Sequence, residues 1–168
     1  DSIQVLLGSD QISEIRHMIS SRHLQIFTDS GEFYETSSST TSITPASITL
    51  KRQTPFGCDR VQPQLLDGGT LFSQKSGKAI REFLFTDLES AYSSNSVSTL
   101  SSHLIGTPTD STVMYGNTTR PESFAYFVMT DGTLAVFHSI RIEKLSGWSQ
   151  WITRYTSDTD SGYLSISS

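Results

Sequence analysis

The chain has 168 residues, a formal net charge of −5 and only 17% charged side chains, below the quarter usual in globular proteins. That length fits one domain with a real core, and the acidic balance argues against a dedicated nucleic-acid binder with a broad basic face. Nine Phe, six Tyr and two Trp are too many aromatics for a disordered, solvating chain. Abundant Ser and Thr suit turns and pleated strands, so the expected fold is mainly β. Cys58 is the single cysteine, which rules out an intrachain disulfide and fits a protein made, or a particle assembled, in a cytosol. No apolar run approaches the roughly 18 residues of a membrane helix, so no membrane span is expected. The sequence opens at Asp1 without an initiator Met and closes in mid-pattern on "GYLSISS". It reads as one β-rich domain over 1–168, a fragment of a longer protein.

In chain order, "SIQVLL" (2–7) reads as a strand. Ile12, Ile15, Met18 and Ile19 recur at helical spacing, with Ser9 or Asp10 as N-cap, and predict a short helix. "LQIFTDSGEFYETS" predicts a hairpin from Leu24–Phe27 through a turn at Asp29-Ser30-Gly31 to Phe33-Tyr34. A polar loop follows over 37–47. Ile48 and Leu50 share one face of a strand that breaks at Pro55 and Gly57. Leu71-Phe72, a turn at Ser76-Gly77, and Ile80, Phe83 and Phe85 form a second hairpin. "SVSTLSSHLI" (96–105) predicts one or two helical turns, and "TVMYGN" (112–117) a short strand. "FAYFVMTDGTLAVFHSI" is a third hairpin on Asp131-Gly132, the strongest short-range hairpin signal. A strand-like stretch closes it on a Trp-rich turn, with Trp148 and Trp151 placed to plug the gap between neighbouring sheets.

The three turns centre on Gly31, Gly77 and Gly132, 46 and 55 residues apart. Propeller blades repeat at about 40–50 residues; a plain meander also contains hairpins, so both arrangements stay open. The expected class is mainly β with antiparallel hairpins, β-propeller-like or irregular multi-sheet, and one or two short helices.

Residues that carry chemistry are sparse. GxSxG, HExxH, CxxC and GxGxxG are missing, and "GGTLFSQKSGKA" fails as a Walker loop because Phe72 and Ala79 stand where Gly and Ser or Thr are needed. His17, His23, His103 and His138 have no metal-ligand spacing, and His138 reads as a packed strand residue. "DTDSG" (158–162) lacks the terminal Glu of a calcium loop. Asp29, Glu32 and Glu35 read as a solvated hairpin face. Lys51, Arg52, Lys75, Lys78 and Arg81 suggest a small basic patch, although Lys78 and Arg81 differ in strand parity. No cofactor, metal or catalytic residue is expected. Tyr92, Tyr115, Trp148 and Trp151 are the candidate binding aromatics, with both Trp favoured as core.

Several phrases fall in a recurrent order: Arg52-Gln53-Thr54 with Gly57, Val61-Gln62-Pro63, Phe72 with Gly77 and Ile80-Arg81-Glu82, Asp87 with Tyr92, and Leu100 through His103-Leu104. With "LQIFTDSGEFYE" upstream, where Phe33 stands at a position commonly Trp, and the Asp131-Gly132 strand pair downstream, residues 20–155 resemble the tail tubular or nozzle proteins of short-tailed bacteriophages, also called packaged-DNA stabilisation proteins. The resemblance implies a β-rich, propeller-like structural protein of the virion tail, assembled in the host cytoplasm. Its partners would be other tail proteins on the adaptor and portal side and its own copies, commonly in a hexameric ring, with DNA passing without sequence-specific binding. The acidic balance would suit a lumen that repels phosphate. The alternative is a glycan- or receptor-binding β domain that uses the four aromatics as platforms; a sugar hydrolase would need a carboxylate pair that no motif marks.

Overall fold

The structure, a computed structural model, describes residues 13–36, 44, 47–153 and 162–167. Twelve strands form three four-stranded antiparallel sheets, each a meander in which every strand pairs with the next in sequence. The first sheet comprises β1 (Ile15–Ser20), β2 (Leu24–Thr28), β3 (Glu32–Glu35) and β4 (Leu50–Thr54). The second comprises β5 (Gln64–Leu66), β6 (Gly69–Ser73), β7 (Ile80–Thr86) and β8 (Ala91–Ser96). The third comprises β9 (Pro108–Met114), β10 (Ser123–Met129), β11 (Leu134–Ile140) and β12 (Leu145–Trp151). A 3-10 helix, Thr99–Leu104, lies between the second and third sheets in sequence. The expected mainly β class, antiparallel hairpins in several sheets with one short helix, is the one observed.

The three glycine turns take equivalent places, each joining the second strand of its sheet to the third. Their chemistry differs. Thr28 Oγ1 accepts the Ser30 and Gly31 amides at 3.2 and 3.0 Å, whereas Asp131 Oδ1 accepts the amide and hydroxyl of Thr133 at 3.0 and 2.7 Å. Those two bonds hold the Asp131 carboxyl below its ordinary pKa.

Strand parity then decides the stacking. Gln25, Phe27, Glu32 and Tyr34 share one face of the first sheet, and Phe27 and Tyr34 pack on Phe72, Phe83 and Tyr92 of the second. The opposite face of the second sheet presents Leu66, Leu71 and Ile80 to Ala125, Phe127, Met129, Ala135 and Phe137 of the third. The middle sheet is therefore covered on both sides, and all five residues of β6 are buried, as in strands that have no solvent face. The sheets stack in series, first on second and second on third.

Each passage between sheets crosses the middle hairpin turn of the sheet being left. Leaving the first, the Cys58 amide donates to Thr28 O at 2.7 Å, and Gly57 O accepts the Lys75 amide of the next sheet's middle turn at 2.9 Å. Leaving the second, Thr107 packs on Gly77 and its carbonyl accepts the Thr130 amide at 3.0 Å. After the third, the Tyr163 amide donates to Gly132 O at 3.0 Å, and a Cβ on Gly132 would meet Gly162 Cα at 2.9 Å. The first strand of each sheet is joined in the same serial way to the chain that enters the next: His17 Nε2 to Arg60 O at 3.0 Å, Gln64 Nε2 to Ser111 O at 3.0 Å, and Asp110 Oδ2 to the Ile166 amide at 2.9 Å. Residues 162–167 thus stand to the third sheet as the segment entering β5 stands to the first.

Some expectations fail. The spacing of Ile15, Met18 and Ile19 suggested helix, but they lie in β1, with Met18 opposite Ile26 and Ile19 opposite Gln25. Pairing with β2 supplies backbone hydrogen bonds that a short, β-branched helix cannot match. The expected strand at 2–7 and the Ser9 or Asp10 cap fall outside the described residues, as does most of the 37–47 loop. Trp148 and Trp151 sit in the strand β12 rather than in a turn. The expected helical turns at 96–105 are present as the 3-10 helix.

Gly57 has φ +73°, and a Cβ there would lie 2.5 Å from Asp29 O. Gly57→Ala should lower stability by roughly 2 kcal/mol or more, from left-handed backbone strain plus the clash. Urea unfolding monitored by near-ultraviolet circular dichroism measures this; an unchanged midpoint would contradict the interlocked crossing.

Candidate functional site

The densest polar cluster lies between the first and second sheets. Glu32 is fully buried because its parity sets it beside Phe27 and Tyr34 on the covered face. Its Oε2 accepts the hydroxyl of Thr54 in a short hydrogen bond, Thr54 Oγ1 lies 2.8 Å from Ser94 Oγ, and its Oε1 has no hydrogen-bond partner. Burial pushes the carboxyl pKa up, opposed by Thr54, the Phe56 and Gly57 amides and the Arg81 charge. Arg81 lies over Phe56, 3.4 Å from the ring centroid, and donates to Gln74 Oε1 at 2.8 Å and Ser94 O at 3.0 Å. Cation–π contact and hydrogen bonding together satisfy the guanidinium.

A second network runs through Tyr92. Thr70 donates to Gln25 Oε1 at 2.6 Å, Gln25 Nε2 donates to Tyr92 Oη at 3.4 Å, and His23 Nδ1 lies 3.1 Å from the same oxygen. Burial raises the Tyr92 pKa; burial, then the neighbouring Arg22 charge, lowers that of His23. The Tyr92 ring stacks on Phe83 at 4.4 Å and 10°. Both networks clamp one sheet on the other. Glu32, sealed from solvent, is out of reach of any substrate and acts as an internal acceptor.

The four candidate aromatics do not converge. Tyr92 is 5% exposed and belongs to the core, so it is no surface platform. Trp148 points toward the second sheet, packs on Phe127 and Phe137 and donates its indole N–H to Val97 O at 2.8 Å; it plugs the gap between sheets as expected. Trp151 differs by three residues in strand parity and lies on the outer face, 48% exposed, edge-on to Tyr126. It is not a core residue. Tyr115 is 56% exposed and donates its hydroxyl to Leu65 O at 2.9 Å.

The outer face of the third sheet carries Tyr126, Val128, Leu134 and Val136, with Met114, Phe124, Tyr163 and Ile166 packed around them. A groove of about 340 Å³ opens there between Met114, Tyr126, Leu134, Trp151, Tyr163 and Ile166. His138 lies in β11, stacked on Phe124 at 4.8 Å, the packed strand position expected of it.

The charged sets also resolve singly. Glu32 and Glu35 are buried, so Asp29, Glu32 and Glu35 are not a solvated face. Two of the basic residues expected to form a patch meet separate partners: Arg52 donates to Ser30 O at 2.6 Å, and Lys75 pairs with Asp29 at 3.3 Å. Arg81 is engaged with Phe56 and Ser94, as above. Among the described residues no three His, Cys, Asp or Glu side chains gather as a metal site, and no helix is long and apolar enough to cross a membrane. No protein-family model matches the chain, and no curated protein matches it in sequence.

The sign of the Glu32 effect is fixed by its raised pKa. The folded state holds the proton at pH values where the unfolded chain has lost it, so stability is full below the ordinary glutamate pKa and falls as pH rises through the folded value. Glu32→Gln should remove that fall and leave the variant more stable than the parent at pH 8. Paired urea titrations at pH 4 and pH 8 measure it; a variant with the parent's pH dependence would rule out Glu32 as the source.

Proposed function

We propose that the chain is a non-enzymatic, structural β module of the tail nozzle of a short-tailed bacteriophage, working by shape and subunit contacts. The observation that carries the reading is where the family-like phrases fall. Arg52 ties β4 to the first middle turn. Gln53 Oε1 accepts the Tyr92 amide at 2.8 Å, and Thr54 binds Glu32. Gly57 presses on Asp29, and Arg81 covers Phe56. The residues that carry the resemblance build the first sheet's turn and edge and, through Gln53 and Arg81, its contact with the second, which suits a rigid stack rather than a reactive centre. In this reading the module sits below the portal and adaptor, in a hexameric ring of its own copies, in the virion tail. The net charge of −5 favours a lumen along which DNA slides without sequence-specific binding.

Electron microscopy of the protein, free and mixed with the portal complex of a short-tailed phage, tests this. A ring with a central channel is expected in at least the mixed sample. Monomers in both would end the proposal.

The groove beside Trp151 favours a second reading, a glycan- or receptor-binding β domain, because an exposed indole next to Tyr126 offers a stacking platform. Under it, host-surface oligosaccharides should quench tryptophan emission in the parent and not in Trp151→Ala. No response in the parent would remove the reading.

A further inference from the structure

Three sheets have six edge strands, and five are blunted. β1 carries Arg16 and His17 and a register irregularity between Ile15 and His17. β4 carries Lys51 and Arg52 and lies opposite a register shift. β5 is three residues long. β8 has its edge capped, with the Tyr92 amide on Gln53 Oε1 and the Ser94 carbonyl on Arg81. β9 starts at Pro108, carries Asp110, and gives the Ser111 carbonyl to Gln64. Charges, proline, bulges, shortness and covering groups are the devices by which proteins keep sheet edges from pairing.

Among the described residues β12 shows no charge, proline, bulge or shortening. "LSGWSQW" is seven residues long with no charge and no proline, and its register with β11 is unbroken from Ile140–Leu145 to Leu134–Trp151. The 3-10 helix approaches it, yet six of its seven residues are exposed, including Leu145 at 61% and Trp151 at 48%. The strand is also self-complementary. Turned about a two-fold axis at Trp148 and paired antiparallel with itself, it sets Leu145 opposite Trp151 of the other copy at both ends. Gly147 then faces Ser149, and Ser146 faces Gln150. Each exposed apolar side chain meets another on the same face, the pairing that stabilises neighbouring strands.

We infer that β12 is an interaction edge that pairs antiparallel with β12 of a second copy, joining two third sheets into one continuous eight-stranded sheet. Such a contact is isologous and closes on itself, so it cannot propagate a ring. The ring contacts of the nozzle reading must use other surfaces, and the two ideas succeed or fail separately.

Sedimentation velocity on the 168-residue chain should give twice the 18.6 kDa monomer mass. The double variant Leu145→Lys/Ser149→Lys should halve that mass with an unchanged near-ultraviolet spectrum. Gly147 has open space at its Cβ position, so Gly147→Cys/Ser149→Cys should form a disulfide-linked dimer under mild oxidation. Ser149→Cys by itself should not, because its opposite residue is Gly147. The cysteine pair decides the matter even if the lysine variant fails to fold. A monomeric parent at high micromolar concentration overturns the inference. So does a dimer that survives the lysine substitutions in a folded variant, or one that the cysteine pair cannot cross-link.

Discussion

β6 and β7 carry large apolar side chains on both faces, Phe72 and Phe83 toward the first sheet and Leu71 and Ile80 toward the third. A two-sided sheet of this kind is stable only if two other sheets cover it, since each such side chain left in water would forfeit about 1.5–3 kcal/mol. The serial stack follows from that requirement. So do the crossings: a chain that must bring the next sheet over the last one passes across its middle turn, where Gly57 lies against Asp29, Thr107 against Gly77 and Gly162 against Gly132.

Covering both faces has a polar cost. Parity drives Glu32, Gln25 and Thr70 into the interface with Phe27 and Phe83, and each has to find a partner there. Gln25 and Thr70 find each other, and Tyr92 joins them. Glu32 is satisfied at one oxygen only. These bonds are directional where apolar contact is not, so they fix the offset of one sheet on the other. The second interface has an apolar centre and carries its hydrogen bonds around it, Trp148 to Val97, Gln64 to Ser111 and Tyr115 to Leu65, with the Arg141–Glu82 pair at its margin.

The hairpins were legible because their turns are local: Asp-Gly between apolar runs encodes a reversal whatever surrounds it. The helix expected around Ile15 shows the converse, since three apolar residues cannot distinguish a helical period from an irregular edge strand. β8, "AYSSNS", gave no signal of its own; it is a strand because β7 offers a register from Arg81–Ser96 to Thr86–Ala91. The burial of Glu32 was available in principle, as it shares parity with Tyr34 two residues on. Its acidic neighbours made solvation the simpler reading. The separation of Trp148 from Trp151 follows from strand parity once both are placed in one strand, and is hidden while they are read as a turn. Which turn lies over which crossing is a tertiary fact with no local signature.

Cys58 sits where the first crossing passes between two turns, its amide on Thr28 and its side chain 1% exposed. Burial, then the charges of Glu32 and Asp59, raise its thiol pKa, so in the closed stack it is neither accessible nor ionised. Its reactivity is therefore a clock rather than a chemistry. A thiol reagent can arrive only as often as the first sheet lifts from the second, and the rate of modification counts those openings one molecule at a time.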